Sequence, residues 1–139
     1  MDSEALVDQV KAAVDAFRQM HGPVALAMLE GTSETDKSWN LVFAAPALDG
    51  LSAKEGVDEV IKVVRGALPR GSWPAISRVT VLRSTDALVD AMSRIFRVST
   101  QGWARIINCQ VNSIEIPYAI LVAADGRAAT SRHSRAAAR

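Results

Sequence analysis

Residues 39–82 read WNLVFAAPALDGLSAKEGVDEVIKVVRGALPRGSWPAISRVTVL, and this stretch decides the fold. It opens on a near-continuous apolar run, Trp39 to Ala45, that stops at Pro46, and it closes on a β-branched run, Ile76 to Leu82. Both runs are too short for a helix and both are bounded by breakers, so each reads as a strand. Between them Ser52-Ala53-Lys54-Glu55 fits a capping box, in which the Ser52 hydroxyl accepts from the Glu55 amide and the Glu55 carboxylate accepts from the Ser52 amide. Val57, Val60, Ile61, Val64 and Leu68 then trace one helical face until Pro69 to Pro74 ends the segment. Strand, helix, strand at this spacing predicts a right-handed crossover between parallel strands.

Upstream, Leu6, Val10, Val14 and Phe17 recur at helical spacing from Glu4 to Met20, and His21-Gly22-Pro23 supplies the stop. Val24 to Leu29 reads as a strand that forms an antiparallel hairpin with Trp39 to Ala45, across the polar loop Glu30 to Lys37. Downstream, Arg83-Ser84-Thr85-Asp86 leads into a third helix whose buried stripe is Leu88, Ala91, Met92, Ile95 and Phe96. Trp103 to Val111 and Ile114 to Ala124 form a second hairpin through Asn112-Ser113, with Ile114, Ile116, Tyr118, Ile120 and Val122 on one face. Pro117 requires an edge position or a bulge in that last strand.

The order is therefore α-β-β-α-β-α-β-β, an α+β class domain spanning residues 1–125. A mixed five-stranded sheet is expected, with three helices packed on it, hairpins at its ends, and both strand-helix-strand units acting as parallel crossovers. Residues 126–139 are a basic tail of alanine, arginine and serine. At 139 residues with 49% hydrophobic and 22% charged side chains, the chain has the length and composition to bury one real core.

Charge and cysteine usage exclude several function classes. All 15 acidic residues lie at or before Asp125 and four of the 16 basic residues follow it, so the body carries −3 and the tail +4. Such an asymmetry marks either a tail for an anionic partner or a solvated end. One cysteine, Cys109, and two histidines, His21 and His133, cannot assemble a zinc cluster or an internal disulfide, and neither metal nor cofactor is expected. The acidic N-terminus runs straight into an amphipathic pattern, and no apolar run approaches the roughly 20 residues of a bilayer span. A soluble, cytoplasmic protein without membrane association is the expectation.

Ligands prefer the crevice beyond the carboxyl ends of parallel strands, where helix N-termini point free amides outward. Two loops qualify as an anion or ligand site. One offers Asp49 and Ser52; the other offers Arg83, Ser84, Thr85 and Asp86. The local alternative makes Ser84 or Thr85 an N-cap and pairs Arg83 with Asp86. Gly-rich phosphate patterns and the G-x-S-x-G elbow are absent.

Elsewhere, Cys109 reads as an inert core thiol and His21 as a helix-terminal side chain. Glu30, Glu34 and Asp36 read as a solvated loop, and Glu115 as a site candidate only if its face is covered. Trp39, Trp73 and Trp103 serve either as core or as a partner surface. Arg65, Arg70, Arg78, Arg83, Arg94, Arg97 and Arg105 dominate the second half without forming a demonstrable stripe.

These signals favour a non-enzymatic interaction module that self-associates, its tail docking on the acidic body of its own or a neighbouring subunit. One alternative is nucleic-acid or polyanion binding through Arg127, Arg132, Arg135 and Arg139. Another is a small-ligand binder or small enzyme using the loops after the second and third strands.

Overall fold

The structure, a computed structural model, describes residues 3–33, 35–96, 102–111 and 113–124. Helix α1 spans Ser3–His21, followed by strands β1 (Leu26–Gly31) and β2 (Trp39–Ala44), helix α2 (Ala53–Ala67) and strand β3 (Ile76–Leu82). Helix α3 (Ala87–Ile95) and strands β4 (Ala104–Val111) and β5 (Ile114–Ala123) complete the order. Short 3-10 turns at Pro46–Leu48 and Arg70–Ala75 flank α2. The domain is α+β, with helices packed on a mixed five-stranded sheet.

Local chemistry accounts for the helix limits. α1 buries Leu6, Val10, Ala13, Val14 and Phe17 along one stripe. It ends where Gly22 takes φ +102, a left-handed conformation that costs glycine nothing, and its N–H donates to the Arg18 carbonyl at 3.0 Å. α2 starts at the capping box read from its sequence: Glu55 N donates to Ser52 Oγ at 3.1 Å, and Ser52 N donates to Glu55 Oε1 at 3.0 Å. Such a cap contributes about 1 kcal/mol.

The strands lie in the order β3-β2-β1-β5-β4. β1 is antiparallel to both β2 and β5, β5 is antiparallel to β4, and β2 is parallel to β3. Thus the crossover through α2 joins parallel neighbours as expected, whereas the one through α3 does not. β3 and β4 form opposite edges of the sheet and run in opposite directions. The physical reason is that β4 takes its partner from the β4–β5 hairpin, so α3 only has to return the chain across the sheet.

Two cores result, one on each face. Leu29, Leu41, Phe43, Tyr118 and Ile120 pack beneath α1 and α2, while Met28, Val42, Ile116 and Leu121 pack beneath Leu88, Val89 and Met92 of α3. β1 at the centre is covered on both sides, which explains its unbroken apolar run. Each large aliphatic or aromatic side chain fully buried this way contributes roughly 1.5–3 kcal/mol.

Three details depart from expectation. Ile116 does not share a face with Tyr118, Ile120 and Val122; it joins the α3 core. The ladder between β4 and β5 skips from Cys109↔Ile116 to Ile107↔Tyr118, with Asn108 at φ +47 opposite Pro117, and there the alternation breaks. β5 is an interior strand, yet its pairing with β1 ends at Gly31↔Tyr118, so the missing N–H of Pro117 lies beyond the β1 ladder. Finally, Ile95 is 58% exposed because α3 stops there and Phe96 turns extended.

At the β1–β2 turn, Asp36 folds back on Thr32, accepting from its amide at 2.7 Å and its hydroxyl at 2.9 Å. These bonds hold the Asp36 carboxyl below its ordinary value. Gly31 is required beside them, since a Cβ at that position would sit 2.5 Å from Asp36 Oδ2 and 2.7 Å from the Trp39 ring.

Candidate functional site

β3 borders two recesses, one at each end. The first lies beyond its carboxyl end, where the two loops singled out in the sequence meet in a cavity of about 160 Å³ lined by Leu48, Asp49, Leu51, Ser52, Val81 and Arg83. The 3-10 turn after β2 aims Asp49 at the β3–α3 loop. Its carboxylate accepts from Ser84 N at 2.9 Å and, at close range, from the Ser84 hydroxyl. Arg83 Nη1 donates to the Asp49 carbonyl at 3.2 Å.

The local partners differ from those expected of this loop. Asp86, rather than Ser84 or Thr85, is the N-cap of α3, accepting from Leu88 N at 2.8 Å. Arg83 bonds Asp49 and not the Asp86 carboxylate, although Asp86 N donates to the Arg83 carbonyl at 2.9 Å. Thr85 is exposed, and Ser52 is engaged in the α2 cap. Each helix N-terminus therefore carries an acceptor of its own, and the Asp49 carboxylate occupies the donors an anion would use.

The second recess lies beside the first half of β3. Ile61, Val64 and Arg65 on the last turns of α2 face Ile76, Ser77, Arg78 and Val79 on the strand, and Trp73 closes the end, leaving about 200 Å³. Trp73 stands here because the 3-10 turn after Pro69 swings it back under α2, where its Nε1 donates to the Leu68 carbonyl at 3.1 Å. Arg65 and Arg70 place their guanidinium carbons 5.2 and 5.5 Å from the centre of its ring, at cation–π range.

β3 pairs with β2 alone, so among the described residues its outer edge is unpartnered. No carboxylate among the described residues forms an ion pair with Arg65, Arg70 or Arg78. Other arginines are engaged: Arg18 with Asp15, Arg94 with Asp90, Arg83 with Asp49. In the sequence Trp73 and these arginines belong to separate elements, and no motif announces their meeting. Its only signal was the arginines flanking Trp73 across a proline break.

The remaining candidates are dispersed. Trp39 is core, 5.7 Å from Tyr118, while Trp103 is half-buried beneath Arg105, so the three tryptophans form no common platform. His21 Nε2 lies 2.8 Å from Glu59 Oε2, tying the end of α1 to α2. Cys109 is half-buried at the edge of the α3 core, short of the full burial expected, and Glu115 is exposed. Among the described residues no three His, Cys, Asp or Glu side chains gather as a metal site. No helix among them is long and apolar enough to cross a membrane. Glu34, Arg97, His133, Arg127, Arg132, Arg135 and Arg139 lie outside the described residues. Compared with family models, with curated proteins and with solved structures, the chain matches none.

Proposed function

We propose that the domain is an interaction module that takes up an extended segment of a partner protein along the outer edge of β3. The observation behind this reading is an edge strand that is unpartnered among the described residues and bordered by an open groove. Main-chain bonds to an edge strand supply affinity, and a pocket beside it supplies selectivity for side chains. A small-ligand site at Asp49, Ser52, Arg83, Ser84 and Asp86 is the weaker reading, because an incoming anion would have to displace the Asp49 carboxylate.

Self-association follows the same chemistry with a second copy as partner. β3 is a poor edge for it, since two-fold pairing would bring Arg78 and its neighbours towards their own copies. β4 is the better one, with Ile107 60% exposed. Polyanion binding through the arginine tail would be a separate activity of the same cytoplasmic protein.

The test is selection of short linear peptides from a random display library on the immobilised domain, with hydrogen exchange mapping of the enriched peptides. Protection of the Ile76–Leu82 amides supports the reading. Protection confined to other segments, or no enrichment at all, overturns it.

A further inference from the structure

We infer that the segment taken up beside β3 is acidic and inserts one large apolar side chain between α2 and Trp73, an inference that rests on the edge-strand reading above. The groove has an apolar interior of Ile61, Val64, Ile76 and Val79. Its volume of about 200 Å³ falls below the roughly 300–1,000 Å³ of small-molecule sites, which suits one side chain of a longer ligand.

The rim sets the sign of the partner. Arg65 and Arg78 are exposed in the lining of the groove, Arg70 lies over its Trp73, and among the described residues no acidic side chain lines it. Charged side chains on a strand edge also discourage aggregation, which accounts for Arg78 alone. It does not account for Arg65, which lines the groove from α2, or for Arg70 on the 3-10 turn, both of which are held over the one indole that closes the groove. Stacking fixes a guanidinium plane while leaving its N–H groups able to engage a carboxylate in two parallel bonds. Carboxylates on an added strand, flanking the residue that enters the pocket, meet this rim.

A peptide fits better than a nucleic acid. Arg65 and Arg70 already lie over the Trp73 ring where a base would stack. The strand edge offers alternating amide donors and carbonyl acceptors, the complement of another main chain rather than of a phosphodiester.

The peptides enriched from the random library decide the matter, together with the Arg65→Gln, Arg78→Gln double variant and a poly-deoxythymidine competitor. Peptides that protect β3 are expected to be rich in Glu and Asp around an aromatic or large aliphatic residue. They should lose about tenfold or more in affinity on the double variant, and weaken as salt rises, while the thermal midpoint of the protein shifts by only a few degrees. Neutral or basic peptides protecting β3, or acidic ones that bind the double variant equally well, would overturn the acidic assignment and leave the edge reading standing. Absence of any β3-protecting peptide would remove both. Poly-deoxythymidine that protects β3 and displaces the peptides at lower concentration than they bind would reassign the groove to nucleic acid.

Discussion

The two ends of β3 use the same kinds of residue for opposite purposes. At the carboxyl end Arg83, Ser84 and Asp49 turn inward on one another, and donors and acceptors close into a knot between the β2–α2 and β3–α3 loops. At the amino end Arg65, Arg70 and Arg78 form no ion pair with a carboxylate among the described residues; Arg65 and Arg78 line an open groove and Arg70 lies over its Trp73. Folding has satisfied the first set, whereas the second keeps its hydrogen-bonding capacity for something outside. A basic, hydroxyl-bearing loop is thus a poor guide to a site until its partners are known.

Substitutions separate the two ends, the largest effect falling on the closed one. Asp49→Ala leaves the part-buried Ser84 N–H and hydroxyl without their acceptor and should destabilise the domain by about 1–3 kcal/mol in urea titration. Selected peptides should still bind β3 in that variant, and loss of binding would mean that the two ends are coupled.

Tyr118→Phe offers a control inside the core. The Tyr118 hydroxyl is buried without a hydrogen-bond partner among the described residues, so its removal should leave stability unchanged or raise it by about 1 kcal/mol. A loss would point to a partner for that oxygen. The Arg65→Gln, Arg78→Gln double variant should cost only about 0.5 kcal/mol, chiefly the Arg65 contact with Trp73, since neither side chain has an ion-pair partner among the described residues to lose.

The smallest expected effect is local and depends on pH. Asp36 is held below its ordinary value of 3.8, chiefly by the Thr32 amide, so its bonds persist above that pH. They are lost as pH falls through the lower folded value. The Thr32 amide resonance should follow this transition below pH 3.8.

Most of the fold was legible because its determinants are local. The capping box at Ser52, the stop at Gly22 and the β-branched run of β3 each specify their element within a few residues. The wide path of α3 was not legible, because periodicity reports which face of a helix is buried and says nothing about which strand the chain joins next. The face of Ile116 was missed for a related reason: one left-handed residue in the partner strand, Asn108, breaks the alternation.

For the sites, the sequence offered Asp49 and Ser52 on one loop and Arg83 on another, without placing the two loops together, whereas in the structure all three line one recess. It could not show that Asp49 faces Ser84, since side-chain direction at a turn depends on the tertiary setting. The groove escaped notice because Arg65 and Trp73 belong to different elements, brought together only by the 3-10 turn after Pro69.

The strand order also has a kinetic consequence. β1 pairs with β2 through a nearby turn, but its other neighbour is β5, with Ala27 beside Ala123 about two thirds of the chain away. Contacts so distant in sequence close late, after chain entropy has been lost elsewhere. The α1-to-β3 portion and the β4–β5 hairpin should each form early, and zipping β5 onto β1 should limit the rate. Mutations at the β1–β5 seam would then slow folding as well as speed unfolding.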